Sequence, residues 1–383
     1  MYNPTDMVMR VLHVIQSLQS DANAPAIALS GLWFSLRRDG VDLRILTDEP
    51  GTESALESAI FDPDTVAAQL SDVALVHIHG WRFQAARAVA AAARQRKVPY
   101  IISAMGALSV DGGNGNGWRS KLRGWLGGNT LVRNAAAVIA LNQAEADDLR
   151  HRSVNPRVEI LPLGLDLDEY PMRSAAATTE ITQTLSPDAS RVLLVLAPVE
   201  PKYGGVPLLK ALAELGTDAD GWKVVFAGPQ VGDWRKMLEA AIQRKGGADR
   251  VHFTAAADAS TQIAWLQRAS LLAACHLTPA PNVSFLQALA CSVPILATKF
   301  AAPDGLNNVV ELVEPNRSSI REGLRTFLKR NDRESRELGG RSRERARSSL
   351  DWSTLTARYL NLYERLINRG DAAMMSVPTG ATA

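Results

Sequence analysis

In ALVHIHG, residues 74–80, two histidines flank an isoleucine at the end of an apolar run closed by Gly80. Side chains two apart in an extended strand share a face, so His77 and His79 lie together. A histidine at a strand tip can serve as acid, base or hydrogen-bond partner at the carboxyl edge of an α/β sheet. His79 is therefore a candidate catalytic residue. A metal bound by the pair needs a third ligand, and the sequence shows none, so no metal is expected. A second feature is PNVS, residues 281–284, ahead of an apolar helical stretch. Asn282 or Ser284 can cap that helix, and the free N–H groups of its first turn, with Val283, form an anion site. A third is WRSKLRGWLGGNTLVRN, residues 118–134, which mixes two tryptophans and leucines with Arg119, Lys121 and Arg123. It reads either as a core helix with solvated arginines or as an amphipathic segment attaching to anionic membrane.

These residues need a frame, and the chain supplies a repeating one. Short apolar runs alternate with amphipathic helical stretches from end to end. RVLHVIQSL reads as a buried strand, and after a polar loop Pro25 opens a helix that Gly40 closes. VDLRILT, ALVHIHG, VPYIISAMG, AAVIAL and RVEILPLG continue the series. Strands separated by helices imply a parallel sheet covered on both faces. Near Pro171 the pattern gives way to the small, polar PMRSAAATTEITQTLSPDAS. A second series follows, with RVLLVLAP, WKVVFAGP, VHFTA, LLAACH and VPILATKF as strands. The fold class is α/β, with two doubly wound parallel-sheet domains facing a cleft. From Arg317 to Arg347 the chain is dense in arginine and glutamate, which reads as a solvated helical face.

Composition narrows the function classes. The chain has 383 residues, 46% hydrophobic and 21% charged, enough for two domains. A net charge of +2 gives no electrostatic case for nucleic acid. Cys275 and Cys291 lie in apolar stretches and read as buried thiols of a cytosolic protein. No run approaches the roughly 20 apolar residues of a membrane helix. The opening segment, interrupted by His13 and Gln16, does not read as a signal peptide, so a cytoplasmic protein is expected, either free or peripheral at the inner membrane face.

The order and wording of these segments resemble the retaining GT-B glycosyltransferases that build bacterial capsules, lipopolysaccharides and exopolysaccharides. The resemblance covers roughly residues 9 to 368. It rests on RVLHVIQSL with a helix ending in RRDG, on HIHGW, on ILPLGLDLDEY as the hinge strand, and on VVFAGP, ALACSVPILAT and DWSTLTARYLNLYERL. It implies residues 1–170 as an acceptor-side Rossmann-like domain and 171–190 as a linker. Residues 191–350 form a donor-side domain and 351–369 a helix crossing back to the first. Residues 370–383 are expected to be a disordered tail.

The resemblance also implies a metal-independent donor site, with a nucleotide sugar as substrate and no cofactor. The diphosphate leaving group needs cations or oriented N–H groups. In LAPVEPKYGGVP the family's arginine position holds Pro198 and its lysine position Tyr203. Lys202 is one residue away, and Gly204–Gly205 would permit the re-registered loop. Of the family's paired glutamates, the first falls on Pro279 and the second on Gln287, which can still bond a hydroxyl. Gly106, Gly204, Gly228 and Pro229 remain where backbone approaches the donor. Asn23 and Ala24 replace loop glycines, and Met105 replaces a polar or basic residue. Arg119, Lys121 and Arg123 fall on the acceptor and membrane side. The expected activity is sugar transfer from a nucleotide sugar to a glycan or lipid-linked acceptor. The alternative is an inactive GT-B scaffold, partner or glycan and nucleotide-sugar sensor, as the replaced grip residues suggest.

Overall fold

The computed structural model describes residues 9–19, 24–49, 56–106, 130–151, 155–172, 191–243, 250–254 and 259–375. Arg119, Lys121 and Arg123, the loop position Asn23 and residues 173–190 of the linker lie outside the described residues.

The first domain carries β1 (Arg10–Ser17), α1 (Ala24–Arg38), β2 (Asp42–Glu49), β3 (Ala59–Ile60), α2 (Val66–Gln69), β4 (Leu75–His79) and α3 (Gln84–Gln95). It continues with β5 (Tyr100–Ser103), β6 (Ala137–Ala140), α4 (Gln143–His151) and β7 (Val158–Ile160). Its strands form one seven-stranded sheet in the order β3-β2-β1-β4-β5-β6-β7. The pairings are parallel, and His13 on β1 lies in register with His77 on β4. Val11, Val14, Ile15, Val76 and Ile78 are fully buried, as strands covered on both faces require.

The second domain carries β8 (Arg191–Val195), α5 (Gly205–Leu215), β9 (Trp222–Ala227), α6 (Trp234–Gln243), β10 (Val251–Thr254), α7 (Ala259–Arg268) and β11 (Leu271–Ala274). It continues with α8 (Val283–Ala290), β12 (Ile295–Thr298), β13 (Glu311–Val313), α9 (Arg317–Leu328) and α10 (Asp332–Leu350). Its six-stranded parallel sheet runs β10-β9-β8-β11-β12-β13. Asn331 starts α10 with a capping box, its side chain accepting from Glu334 N while the Glu334 carboxylate accepts from Asn331 N.

Helix α11 (Trp352–Met375) returns to the first domain. Trp352 is buried between Gly31 of α1 and Gly164, and a Cβ at either glycine would overlap the indole. Thr356 Oγ1 donates to Ser35 Oγ at 2.6 Å, and Tyr363 belongs to the same core as Leu29 and Leu36. The helix runs past residue 369 to Met375, and residues 376–383 lie outside the described residues.

The arginine-rich stretch is only partly a solvated face. Arg317 and Arg321 pair with Glu214, but two later arginines grip the hinge at its 3-10 turn, Leu167–Glu169. Arg343 donates to the carbonyls of Leu167 (3.0 Å) and Tyr170 (3.2 Å). Arg347 pairs with Asp168 at 2.7 Å. These contacts satisfy hinge carbonyls that leave the sheet and have no ladder partner.

Candidate functional site

Each sheet reverses its strand order once. In the first domain β1 and β4 part company, and in the second β8 and β11 do. Crevices at such points, beyond the carboxyl ends of the strands, are where open parallel sheets bind ligands.

At the first switch point three histidines cluster. His79 Nε2 lies 2.9 Å from His13 Nδ1, and His77 stacks on His79 with centroids 4.1 Å apart. All three are buried. Burial holds His79 down at about 3, and burial followed by repulsion from His79 lowers His13 and His77 as well. The three nitrogens lie within 4.8 Å, so His13 is the third potential ligand that the sequence did not reveal. His77, however, lies 2.7 Å from Tyr363 Oη through Nδ1 and 2.7 Å from Ser103 Oγ through Nε2. With one nitrogen protonated and the other accepting, it keeps no lone pair for a metal. The trio fits a neutral hydrogen-bonded cluster and does not fit a metal cage. His79 Nδ1 and His13 Nε2 have no partner.

At the second switch point the turn after β8 folds onto the end of β11. Lys202 forms an ion pair with Glu200 at 3.1 Å and lies over the Tyr203 ring. Its carbonyl accepts from Leu277 N at 2.7 Å. Gly204 adopts φ +75°, and a Cβ there would overlap the Cys275 carbonyl. Gly228 is pressed against the Ala197 carbonyl, and the Pro229 carbonyl accepts from Val199 N. Gly106, φ +73°, abuts the Pro279 carbonyl of the other domain. All three glycines thus permit close approach within the chain itself. Cys275 and Cys291 are free buried thiols, raised by burial to about 12 and about 11.

The start of α8 is already capped. Asn282 Oδ1 accepts from Phe285 N at 3.1 Å, and Ser284 Oγ donates to the Leu196 carbonyl at 2.6 Å. This is the ordinary cap, and it satisfies the N–H of Phe285, the third residue of the first turn. Gln287 is buried, its Nε2 lying 3.5 Å from Tyr170 Oη of the hinge, while its Oε1 has no partner.

The two domains meet across the cleft. Asn142 Nδ2 donates to the carbonyls of Ala302 (3.0 Å) and Lys299 (3.3 Å), and Gln143 N donates to Asp304 at 2.8 Å. Glu145, buried, accepts from Gly106 N (2.6 Å) and Leu141 N (2.8 Å), which holds the tip of β5 in place. Burial raises its pKa against the pull of those two bonds.

Two doubly wound sheets, joined by a hinge and a returning helix, fit one known architecture, and the family models agree. Residues 26–164 match the model described as glycosyl transferase 4-like domain, and residues 177–345 match glycosyl transferases group 1. The chain belongs to the GT-B glycosyltransferases.

An MMP α-(1→4)-mannosyltransferase of Mycolicibacterium hassiacum is 26% identical over 270 residues, which is 66% of this chain and 61% of that relative's length. A sucrose-phosphate synthase of Thermosynechococcus elongatus superposes with a TM-score of 0.71 at 16% identity, over 94% of this chain and all of that one. HepE of Anabaena, in complex with UDP and glucose, gives 0.71 at 18%, over 93% of this chain and all of its own. The catalytic domain of starch synthase IV of Arabidopsis thaliana, bound to ADP and acarbose, gives 0.67 at 12%, over 95% of this chain and 100% of that domain. At these identities the structural likeness is one of fold. No helix among the described residues is long and apolar enough to cross a membrane.

Within this GT-B chain the structure gathers Lys202, Gly204, Gly228, Pro229, Asn282, Val283 and Ser284 around the second sheet's carboxyl edge. Gln287 lies deeper, against the hinge. His79 lies on the other sheet, and Gly106 on the seam. His276 was missed in the sequence: it ends the run LLAACH and reads there as strand. The structure packs it against Tyr203, with ring centroids 5.0 Å apart.

Proposed function

We propose that this GT-B protein transfers a sugar from a nucleotide-sugar donor to a glycan or lipid-linked acceptor, as part of polysaccharide assembly. The observation that carries the reading is Lys202 at the second switch point, held by Glu200 and by the backbone bond to Leu277. Transfer breaks the bond between the anomeric carbon and a diphosphate oxygen and joins that carbon to an acceptor hydroxyl oxygen. Negative charge then grows on the departing diphosphate, and a lysine at the strand ends is placed to stabilise it. Support comes from HepE, whose structures hold UDP, UDP-glucose, or UDP with glucose. Family resemblance adds retention of configuration and independence from metal. The acceptor side falls to Arg119, Lys121 and Arg123, which suit a peripheral position on anionic membrane.

A second reading, a scaffold or sensor without catalysis, draws on Pro198 and Pro279 in the grip positions and on a helix cap that Asn282 fills by itself. Lys202→Ala separates the two. In an active enzyme the loss of that cation lowers transfer at least tenfold, about 1.4 kcal/mol of barrier, with the fold intact. The test is complementation of polysaccharide production in a strain lacking the protein. Full complementation by Lys202→Ala would refute catalysis through Lys202.

A further inference from the structure

His276 is the second residue past the end of β11, the strand that borders β8 at the second switch point. The Lys202–Gly204 turn, on the β8 side of the same crevice, is tied to it through Leu277 N. Thr298 Oγ1 donates to the His276 carbonyl at 2.6 Å, which fixes the backbone beneath the ring. The imidazole is 2% exposed, yet its Nδ1 has no hydrogen-bond partner. Buried polar groups are nearly always paired, and an unpaired one at a ligand crevice marks a place that a ligand completes.

The surroundings define that ligand's chemistry. Lys202 is the one cation in the turn LAPVEPKYGG, and its present partner is the Glu200 carboxylate at 3.1 Å, which a phosphate oxygen would replace or share. Burial, then the charge of Lys202, holds the imidazole neutral, with its pKa at about 3. A neutral N–H beside an ammonium group suits an anionic oxygen. Pro198, where the family places an arginine, has no donor of its own to offer. The half-buried Tyr203 ring packs edge-on against the imidazole at 77°.

We propose that His276 is a ligand of the donor's terminal phosphate, donating Nδ1–H to an oxygen whose charge Lys202 neutralises. The imidazole thus takes over the work of the arginine lost at Pro198. This rests on the nucleotide-sugar reading and names the residue pair that holds its diphosphate.

The test is an NMR titration of the full chain with UDP, GDP, ADP and the matching monophosphates. His276→Phe keeps the ring volume and removes the nitrogen. It should weaken the bound diphosphate about tenfold, the usual size for one hydrogen bond to a charged group, and leave the monophosphate nearly unchanged. His276→Asn, whose amide N–H takes the place of Nδ1–H, should recover most of that loss. His276→Gln, which reaches toward the Nε2 position, should not. Equal weakening of monophosphate and diphosphate, or equal binding by the Asn and Gln variants, overturns the proposal. Unchanged diphosphate affinity in His276→Phe sinks the role of His276 alone. If no nucleotide binds the unmodified protein, the donor reading falls and this proposal falls with it.

Discussion

Mild acid should destabilise this protein through its buried histidines before its carboxylates titrate. His79 is held at about 3 by burial, against 6.5 in an unfolded chain. A group with a depressed folded pKa of this kind is neutral in the native state and gains a proton on unfolding. Its stabilising contribution is whole above 6.5 and is lost as pH falls from there toward 3. Between about pH 7.5 and about pH 5 the loss from His79 alone is about 2 kcal/mol. His276, also at about 3, adds a similar amount, and His13 and His77 shift in the same direction. Glu145 opposes them, because burial raises its pKa and acid favours its folded form. A net loss of at least about 3 kcal/mol is a large share of an ordinary domain's 5–15 kcal/mol. Urea unfolding followed by circular dichroism should show a clearly lower midpoint at the acidic pH. The double variant His13→Gln/His79→Gln should flatten that pH slope. An equal or higher midpoint at the acidic pH would contradict the neutral, buried cluster.

Two further outcomes follow from the packing and a third from the sequence. Gly204→Ala forces a side chain into a left-handed conformation and into the Cys275 carbonyl, so it should cost about 2–4 kcal/mol, measured by thermal unfolding. Trp352→Ala empties the socket formed by Gly31 and Gly164; by chemical denaturation the loss should be about 3–5 kcal/mol, and an unchanged midpoint would show that α11 does not depend on this anchor. The protein should sediment with anionic vesicles more than with neutral ones, less so as salt rises, and replacing Arg119, Lys121 and Arg123 by Gln should remove that preference.

The alternation of strand and helix was legible because buried parallel strands are short apolar runs and their crossover helices are amphipathic. Pro25 and Gly40 marked a helix whose ends the structure places at Ala24 and Arg38. The carboxyl edge of the second sheet was harder to read. His276 lies 73 positions after Tyr203, since β8 and β11 are neighbours in space with two other strands between them in the chain. His13 and His79, 66 residues apart, meet for the same reason. No local spacing encodes such pairs. The glycines are ambiguous in another way. Gly106, Gly204 and Gly228 announced close backbone approach, and the backbone they approach is their own. A glycine reports that something is near without saying what. The arginines at 343 and 347 carry no local sign that they hold the hinge, because their partners lie in a short helical turn more than 170 positions earlier.

The account stands on a donor site at the second sheet's switch point, and a titration with UDP-, GDP- and ADP-sugars tests it most directly. With Pro198, Tyr203 and Pro279 in the grip positions, binding should be saturable but weak, near a millimolar dissociation constant or about 4 kcal/mol. The matching free diphosphate should compete, and Lys202→Ala should weaken both. A folded protein that shows no saturable binding to any of these sugar nucleotides would contradict the central claim.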